Sequence, residues 1–144
     1  MAILLQQTLP NLAPVKEVFM TKTALITGIT GQDGYYLSRL LLDKGYRVVG
    51  LVPPERQSSV AKLDELADKV EIYSVALTSA EELTKAVESL QPDEIYNLAA
   101  PSFVPASWDD PLGTLDLITG TATRLLKATR QLGLRTRFYQ ASSS

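Results

Sequence analysis

From Thr23 onward the chain alternates short β-rich runs with stretches whose apolar positions recur every three or four residues. "TALIT" (23–27), closed by Gly28, predicts a short buried strand. Residues 33–44 place Tyr36, Leu37, Leu40 and Leu41 on one face of a helix that stops at Lys44-Gly45. "YRVVGLV" (46–52) predicts a second strand, ended by Pro53-Pro54. A short helix over 58–67 and a third strand, "VEIYSV" (70–75), follow. "TSAEELTKAVESL" (78–90) is an amphipathic helix opening on a capping box of Ser79 and Glu82. Pro92-Asp93 breaks it, and "EIYNLA" (94–99) predicts a fourth strand. A long helix over about 112–132 ends at Gly133, and "RTRFYQAS" (135–142) predicts a fifth strand.

Strands and helices in strict alternation imply a parallel sheet with right-handed crossovers and helices on both faces. The predicted fold class is therefore α/β, a Rossmann-type doubly wound parallel sheet of strand order 3-2-1-4-5. A sixth strand normally pairs beyond the fifth, so the sheet reads as truncated after strand five. Its apolar open edge would tend to recruit another chain.

Residues 1–19 read as a leader or extension, and 20–144 as one incomplete domain beginning at "MTKTALITG". Lys16 follows the apolar stretch and lies beyond Pro10 and Pro14, unlike the charge order of a secretory signal.

Composition narrows the chemistry. The chain is 45% hydrophobic and 21% charged, with net charge −2, so nothing favours nucleic-acid or membrane-surface binding. No apolar run approaches the ~20 residues of a membrane span. It has no cysteine and no histidine, which removes disulfides, zinc-thiolate sites and Ser-His-Asp triads. Chemistry must come from Ser, Thr, Tyr, Lys, Asp or Glu, or from a bound cofactor. A cytoplasmic location is the default expectation.

The strand-to-helix junction "TGITGQDG" carries Gly28, Gly31 and Gly34. Gly28 would let the chain turn sharply out of strand one, Gly31 would let a diphosphate approach the backbone, and Gly34 would let the helix pack close to the sheet. Amides at the helix start, with the helix dipole, would then face the anion. At the head of a βαβ series this spacing predicts dinucleotide binding over an incidental glycine turn. About 20 residues on, an acid would hold the ribose hydroxyls of NAD, and an arginine the 2′-phosphate of NADP. "LVPPERQSS" offers Glu55 and Arg56 side by side, which leaves that choice open, as well as a solvated charged turn.

Longer strings carry a family resemblance: "TALITGITGQDG", "LLLDKGYRVVGLV", "QPDEIYNLAA", "SFVPASWDDP" and "LGLRTRFYQASSS". Together they resemble the extended short-chain dehydrogenase/reductase family, in particular its GDP-mannose 4,6-dehydratase branch, over residues 20–144. The resemblance implies that Gly28, Ile29, Thr30, Gly31, Gln32, Asp33 and Gly34 form a diphosphate-binding loop. It places Leu98, Ala99, Ala100 and Ser102 along the ribose and nicotinamide side of the cofactor. Arg56 and Leu77 join them as cofactor-binding candidates, and Ser143 matches a catalytic Ser/Thr that hydrogen-bonds the sugar O4. The implied cofactor is NADP, with NAD possible; the implied substrate is a nucleotide sugar, a GDP-hexose, handled by a homo-oligomer.

Three departures accompany the likeness. Pro53 and Pro54 stand where the family has two phosphate-binding arginines, Ala76 where it has an adenine-pairing acid, and Gly113 where it has a cofactor-contacting tyrosine. In the family resembled, a hydride leaves C4 of the hexose, water is eliminated across C5 and C6, and the hydride returns to C6. A tyrosine acts as base, with a lysine lowering its pKa, as general-base chemistry near neutrality requires. That Tyr-x-x-x-Lys pair belongs to a helix after strand five, so this polypeptide alone is expected to be inactive. A catalytically dead dinucleotide-binding module is the alternative. Other residues point to structure: Trp108 to packing at the start of a helix, as much as to bordering a sugar or base, and Asn97 to backbone groups at a strand end. Tyr35 and Tyr36 read as core and surface helix residues, and Asp109-Asp110 as a helix start.

Overall fold

The computed structural model describes residues 21–100 and 106–141. Five strands form one parallel sheet: β1 (Thr23–Thr27), β2 (Arg47–Val52), β3 (Glu71–Ser74), β4 (Glu94–Asn97) and β5 (Arg137–Gln140). Their order is β3-β2-β1-β4-β5, as the alternation predicts. The helices are α1 (Gln32–Asp43), α2 (Ala80–Leu90), α3 (Ala106–Asp109), α4 (Pro111–Leu115) and α5 (Thr121–Gln131). A 3-10 run spans Pro54–Leu66, and a π-turn, Asp116–Gly120, joins α4 to α5.

The sheet separates two cores. On one face Leu25, Val49, Leu51 and Ile95 pack with Leu83 and Val87 of α2 and Leu125 of α5. On the other, Ala24, Ile26 and Val48 pack with Leu41 of α1 and with Leu63 and Leu66 of the 3-10 run. Every residue of β1 is buried, because a central parallel strand is covered on both faces. Each fully buried Leu or Ile contributes roughly 1.5–3 kcal/mol.

Several local expectations change. On α1 the buried positions are Gly34, Ser38 and Leu41, while Tyr36 and Leu40 are 60% and 52% exposed. The inward stripe uses small residues because this helix approaches the chain closely, and Ser38 satisfies its hydroxyl by donating to the Gly34 carbonyl at 2.7 Å. A pattern weighted by hydrophobicity therefore finds Leu37 and Leu41, which pack on the core, but misplaces Tyr36 and Leu40. The helix expected over 58–67 is instead the 3-10 run, interrupted at Asp64, where φ is +47°. The long helix from 112 is divided by the π-turn, although its end at Gly133, with φ +65°, is as expected.

The capping box forms only in half. Ser79 accepts the Glu82 amide at 3.2 Å, but the Glu82 carboxylate accepts from the Ala76 amide at 2.9 Å instead of returning to the cap. Trp108 does not pack at the start of a helix; it is 83% exposed. Asp110 does begin α4, accepting from the Gly113 amide at 2.9 Å.

Candidate functional site

The sheet order reverses direction between β1 and β4, which marks the position of a crevice beyond the carboxyl ends of those two strands. This is where open α/β sheets take ligands. Its first wall is the turn from β1 into α1. Gly28 has φ +73°, a region side chains avoid, and a Cβ there would lie 2.8 Å from the Leu98 carbonyl carbon. The turn closes through the Gly31 amide, which donates to the Gly28 carbonyl at 3.0 Å.

Gly34 approaches the turn rather than the sheet. A Cβ on it would sit 2.6 Å from Ile29 Cα and collide with the Gly28 carbonyl oxygen. The close packing that the sequence pattern anticipated is thus between the first turn of α1 and the loop that precedes it. Gly31 is the N-cap of α1 and has no side chain to satisfy the first helical amides. Those amides carry the positive end of a 12-residue helix and are suited to an oxygen anion.

Other candidates divide by exposure. Gln32 and Asp33 are exposed on the first turn of α1, and Thr30 is half-buried. Ile29 is fully buried against Gly50 of β2, so only its main chain can meet a ligand. Leu77 is likewise a core residue, 4% exposed, whose carbonyl accepts the Thr121 hydroxyl at 3.4 Å. Leu98 and Ala99 are partly buried at the exit of β4, and Ala100 is exposed beyond them. Arg56 is exposed on the 3-10 run; Ser102 and Ser143 lie outside the described residues.

That 3-10 run is tied to the glycine turn. The Ser59 and Thr30 hydroxyls are 3.0 Å apart, and Ser59 donates to the Arg56 carbonyl at 2.6 Å. Between α1 and the run lies an open depression of about 330 Å³, lined by Thr30, Gly31, Gln32, Tyr35, Lys62 and Asp64, with Tyr36 at its edge. Lys62 escaped the sequence reading because it is one charge among several in a polar stretch.

The second wall is a row of polar side chains. Thr27 is in register with Asn97, and Asn97 with Gln140, so the three stand side by side on one face of β1, β4 and β5. Thr27 donates its hydroxyl to Asn97 Oδ1, and Asn97 Nδ2 donates to Gln140 Oε1 at 2.7 Å. Thr27 Oγ1 accepts the Ala99 amide at 3.2 Å, and Gln140 Nε2 donates to the Ala141 carbonyl at 2.8 Å. Asn97 is therefore fully buried and bonded to side chains, not to backbone groups at the strand end as the sequence suggested. The available signal was a polar residue closing each of three strands.

On the opposite face Glu94, 9% exposed, accepts from Tyr96 at 2.7 Å and Tyr46 at 3.2 Å, with Arg137 at 3.7 Å. Burial, then the hydrogen bond to Glu94, pushes the Tyr96 phenol up to about 12. No helix among the described residues is long and apolar enough to cross a membrane.

The fold and the glycine turn define a Rossmann-type α/β domain. Solved structures agree with it in fold. The UDP-glucose 4-epimerase of Thermotoga maritima, determined with UDP-glucose, superposes with a TM-score of 0.72 at 22% identity, covering 84% of this chain and 38% of that one. The UDP-glucose 4-epimerase of Thermus thermophilus, in complex with NAD, gives 0.64 at 26% identity, over 78% and 35% of the two chains.

Sequence narrows the class. The profile of the GDP-mannose 4,6 dehydratase family matches residues 25–144, and the chain belongs to that family. It is 44% identical over 132 residues to the GDP-mannose 4,6-dehydratase of Yersinia enterocolitica, covering 85% of this chain and 36% of that protein. GDP-mannose 4,6 dehydratase 2 of Arabidopsis thaliana is 39% identical over 135 residues, covering 85% and 36%. The chain thus spans little more than a third of the length of these relatives.

Proposed function

We propose that residues 20–144 form the dinucleotide-binding part of a nucleotide-sugar 4,6-dehydratase acting on a GDP-hexose, with residues 1–19 an extension outside that domain. The preferred cofactor is NADP, with NAD the alternative. The observation that carries this reading is the α1 terminus capped by Gly31, backed by the side-chain-free turn at Gly28, in a chain of this family.

The residues present fit such a group. Main-chain amides of the Gly28 to Gly34 loop, at the start of α1, would hold the diphosphate, with no side chain at the Gly31 N-cap to block its approach. Leu98, Ala99, Ala100 and Ser102 would border the second ribose and nicotinamide, and Arg56 would meet a 2′-phosphate. Ile29 and Leu77 would shape the site by packing beneath it. Ser143 would donate a hydrogen bond to the sugar. When bound, the dinucleotide supplies the hydride acceptor and donor that no side chain can. A homo-oligomer in the cytoplasm completes the proposal.

Titration with NADPH and NADH, followed by cofactor fluorescence, tests the binding. Saturable binding with NADPH tighter is expected; no saturable binding of either would overturn the reading. The 144-residue chain given GDP-mannose and NADP⁺ should form no 4-keto-6-deoxy product, because no Tyr-x-x-x-Lys pair occurs in these residues. The alternative, a dinucleotide-binding module without catalysis, draws on Pro53, Pro54, Ala76 and Gly113. It predicts that joining this domain to the remaining two thirds of a relative still yields no product.

A further inference from the structure

A row of polar residues, two of them fully buried and the third half-buried, is not needed merely to hold a sheet together. Three apolar side chains in the same register would bury as much surface with no hydrogen bonds to satisfy. Here Thr27 and Asn97 are both fully buried, and among the described residues no buried side-chain nitrogen or oxygen lacks a partner. The row is complete, and its outlets are informative.

One outlet is the Ala99 amide. The Leu98 amide still makes a ladder bond, to the Thr27 carbonyl at 3.2 Å, whereas Ala99 has left β4 and donates to the Thr27 hydroxyl oxygen. On its other side the Ala99 nitrogen lies 2.9 Å from where a Gly28 Cβ would be. The exit of β4 is therefore gripped between the glycine turn and Thr27. Asn97 and Gln140 fix the Thr27 hydroxyl in turn, because Asn97 Oδ1 takes its proton and leaves its lone pairs toward Ala99. Ala100, the next residue, is exposed.

We propose that Thr27, Asn97 and Gln140 are positioning residues: through the Ala99 amide they set the path of residues 98–100 against the nicotinamide half of the bound dinucleotide. The proposal rests on the dinucleotide reading above and adds a specific division of labour. The glycine turn holds the adenine-side diphosphate, and the polar row aligns the wall that meets the second ribose and nicotinamide.

The division can be measured with two ligands. NADPH spans both halves, whereas ADP carries adenine, one ribose and a diphosphate only. Thr27→Val keeps the shape of the side chain and removes the acceptor for Ala99. It should weaken NADPH binding about tenfold, the loss of one net hydrogen bond, and leave ADP binding unchanged. Thr27→Ser restores the oxygen and should recover NADPH affinity. Gln140→Ala, which leaves Thr27 and Asn97 bonded to each other, should show the same selectivity with a smaller loss of about threefold.

Circular dichroism would confirm that each variant is folded at the titration temperature. Equal weakening of both ligands in Thr27→Val would mean a general effect on the sheet and would overturn the proposal. So would unchanged NADPH binding. Wild-type protein that binds neither ligand would instead remove the dinucleotide reading on which this one rests.

Discussion

The two walls of the crevice are built by opposite means. The glycine turn works through missing side chains: Gly28 and Gly34 bring main chain against main chain, with no room for a methyl group at either position. The end of β4 works through side chains that are present, three polar groups in register across three strands. One wall is made by residues close in the chain, although Gly28 also meets the backbone of Leu98 and Ala99. The other joins residues 70 and 43 positions apart. The first should tolerate nothing added at Gly28 or Gly34, whereas the second should tolerate shape but not the loss of a donor or acceptor.

The greatest loss is expected from Gly34→Val. Its Cβ would meet the backbone at Gly28 and Ile29, which no rotamer change can relieve, so stability should fall by about 3 kcal/mol or more. Urea denaturation would show it, and a drop under about 1 kcal/mol would mean that the turn is softer than its contacts imply. Asn97→Leu should come next. It leaves the Thr27 hydroxyl proton without an acceptor and Gln140 Oε1 without its donor, a loss of about 2 kcal/mol by the same measurement. A loss larger than that of Gly34→Val would reverse the contrast.

A further expected effect is one of pH on the β4 side. The Tyr96 phenol is raised from 10.0 to about 12 by burial and by its bond to Glu94. A group raised in the folded state contributes stability that is complete below its unfolded value and is lost as pH rises through the folded one. Wild-type protein should therefore lose stability between pH 10 and about 12 relative to Tyr96→Phe, with no difference between their pH slopes below 10. Parallel slopes up to pH 12 would contradict the assignment. The smallest effect on folding is expected from Gly31→Ala. Gly31 has φ −81° and is exposed, so stability should change by about 1 kcal/mol or less, while NADPH affinity falls by roughly tenfold.

Much of the fold could be read from the chain because its causes are local. Strand runs bounded by Gly28, by Pro53-Pro54 and by Pro92-Asp93 announce their own ends, and alternation with helices leaves few topologies to choose from. Errors arose where packing overrode pattern. Leu40 looks like a core residue of α1 and is exposed, because the close approach at Gly34 turns Ser38 and Gly34 inward. Glu82 belongs to a good capping box, yet its carboxylate is taken by the Ala76 amide in the loop after β3.

The candidate site shows the same divide. The spacing of Gly28, Gly31 and Gly34 is a statement about backbone that the sequence makes directly, since glycine adopts φ +73° at Gly28 without strain and allows contacts at Gly28 and Gly34 that a Cβ would block. Sequence by itself therefore determined the sheet order and the location of the turn. Tertiary structure alone decided that Thr27, Asn97 and Gln140 form one chain of hydrogen bonds. Register between distant strands sets which side chains meet, and no local pattern records that pairing.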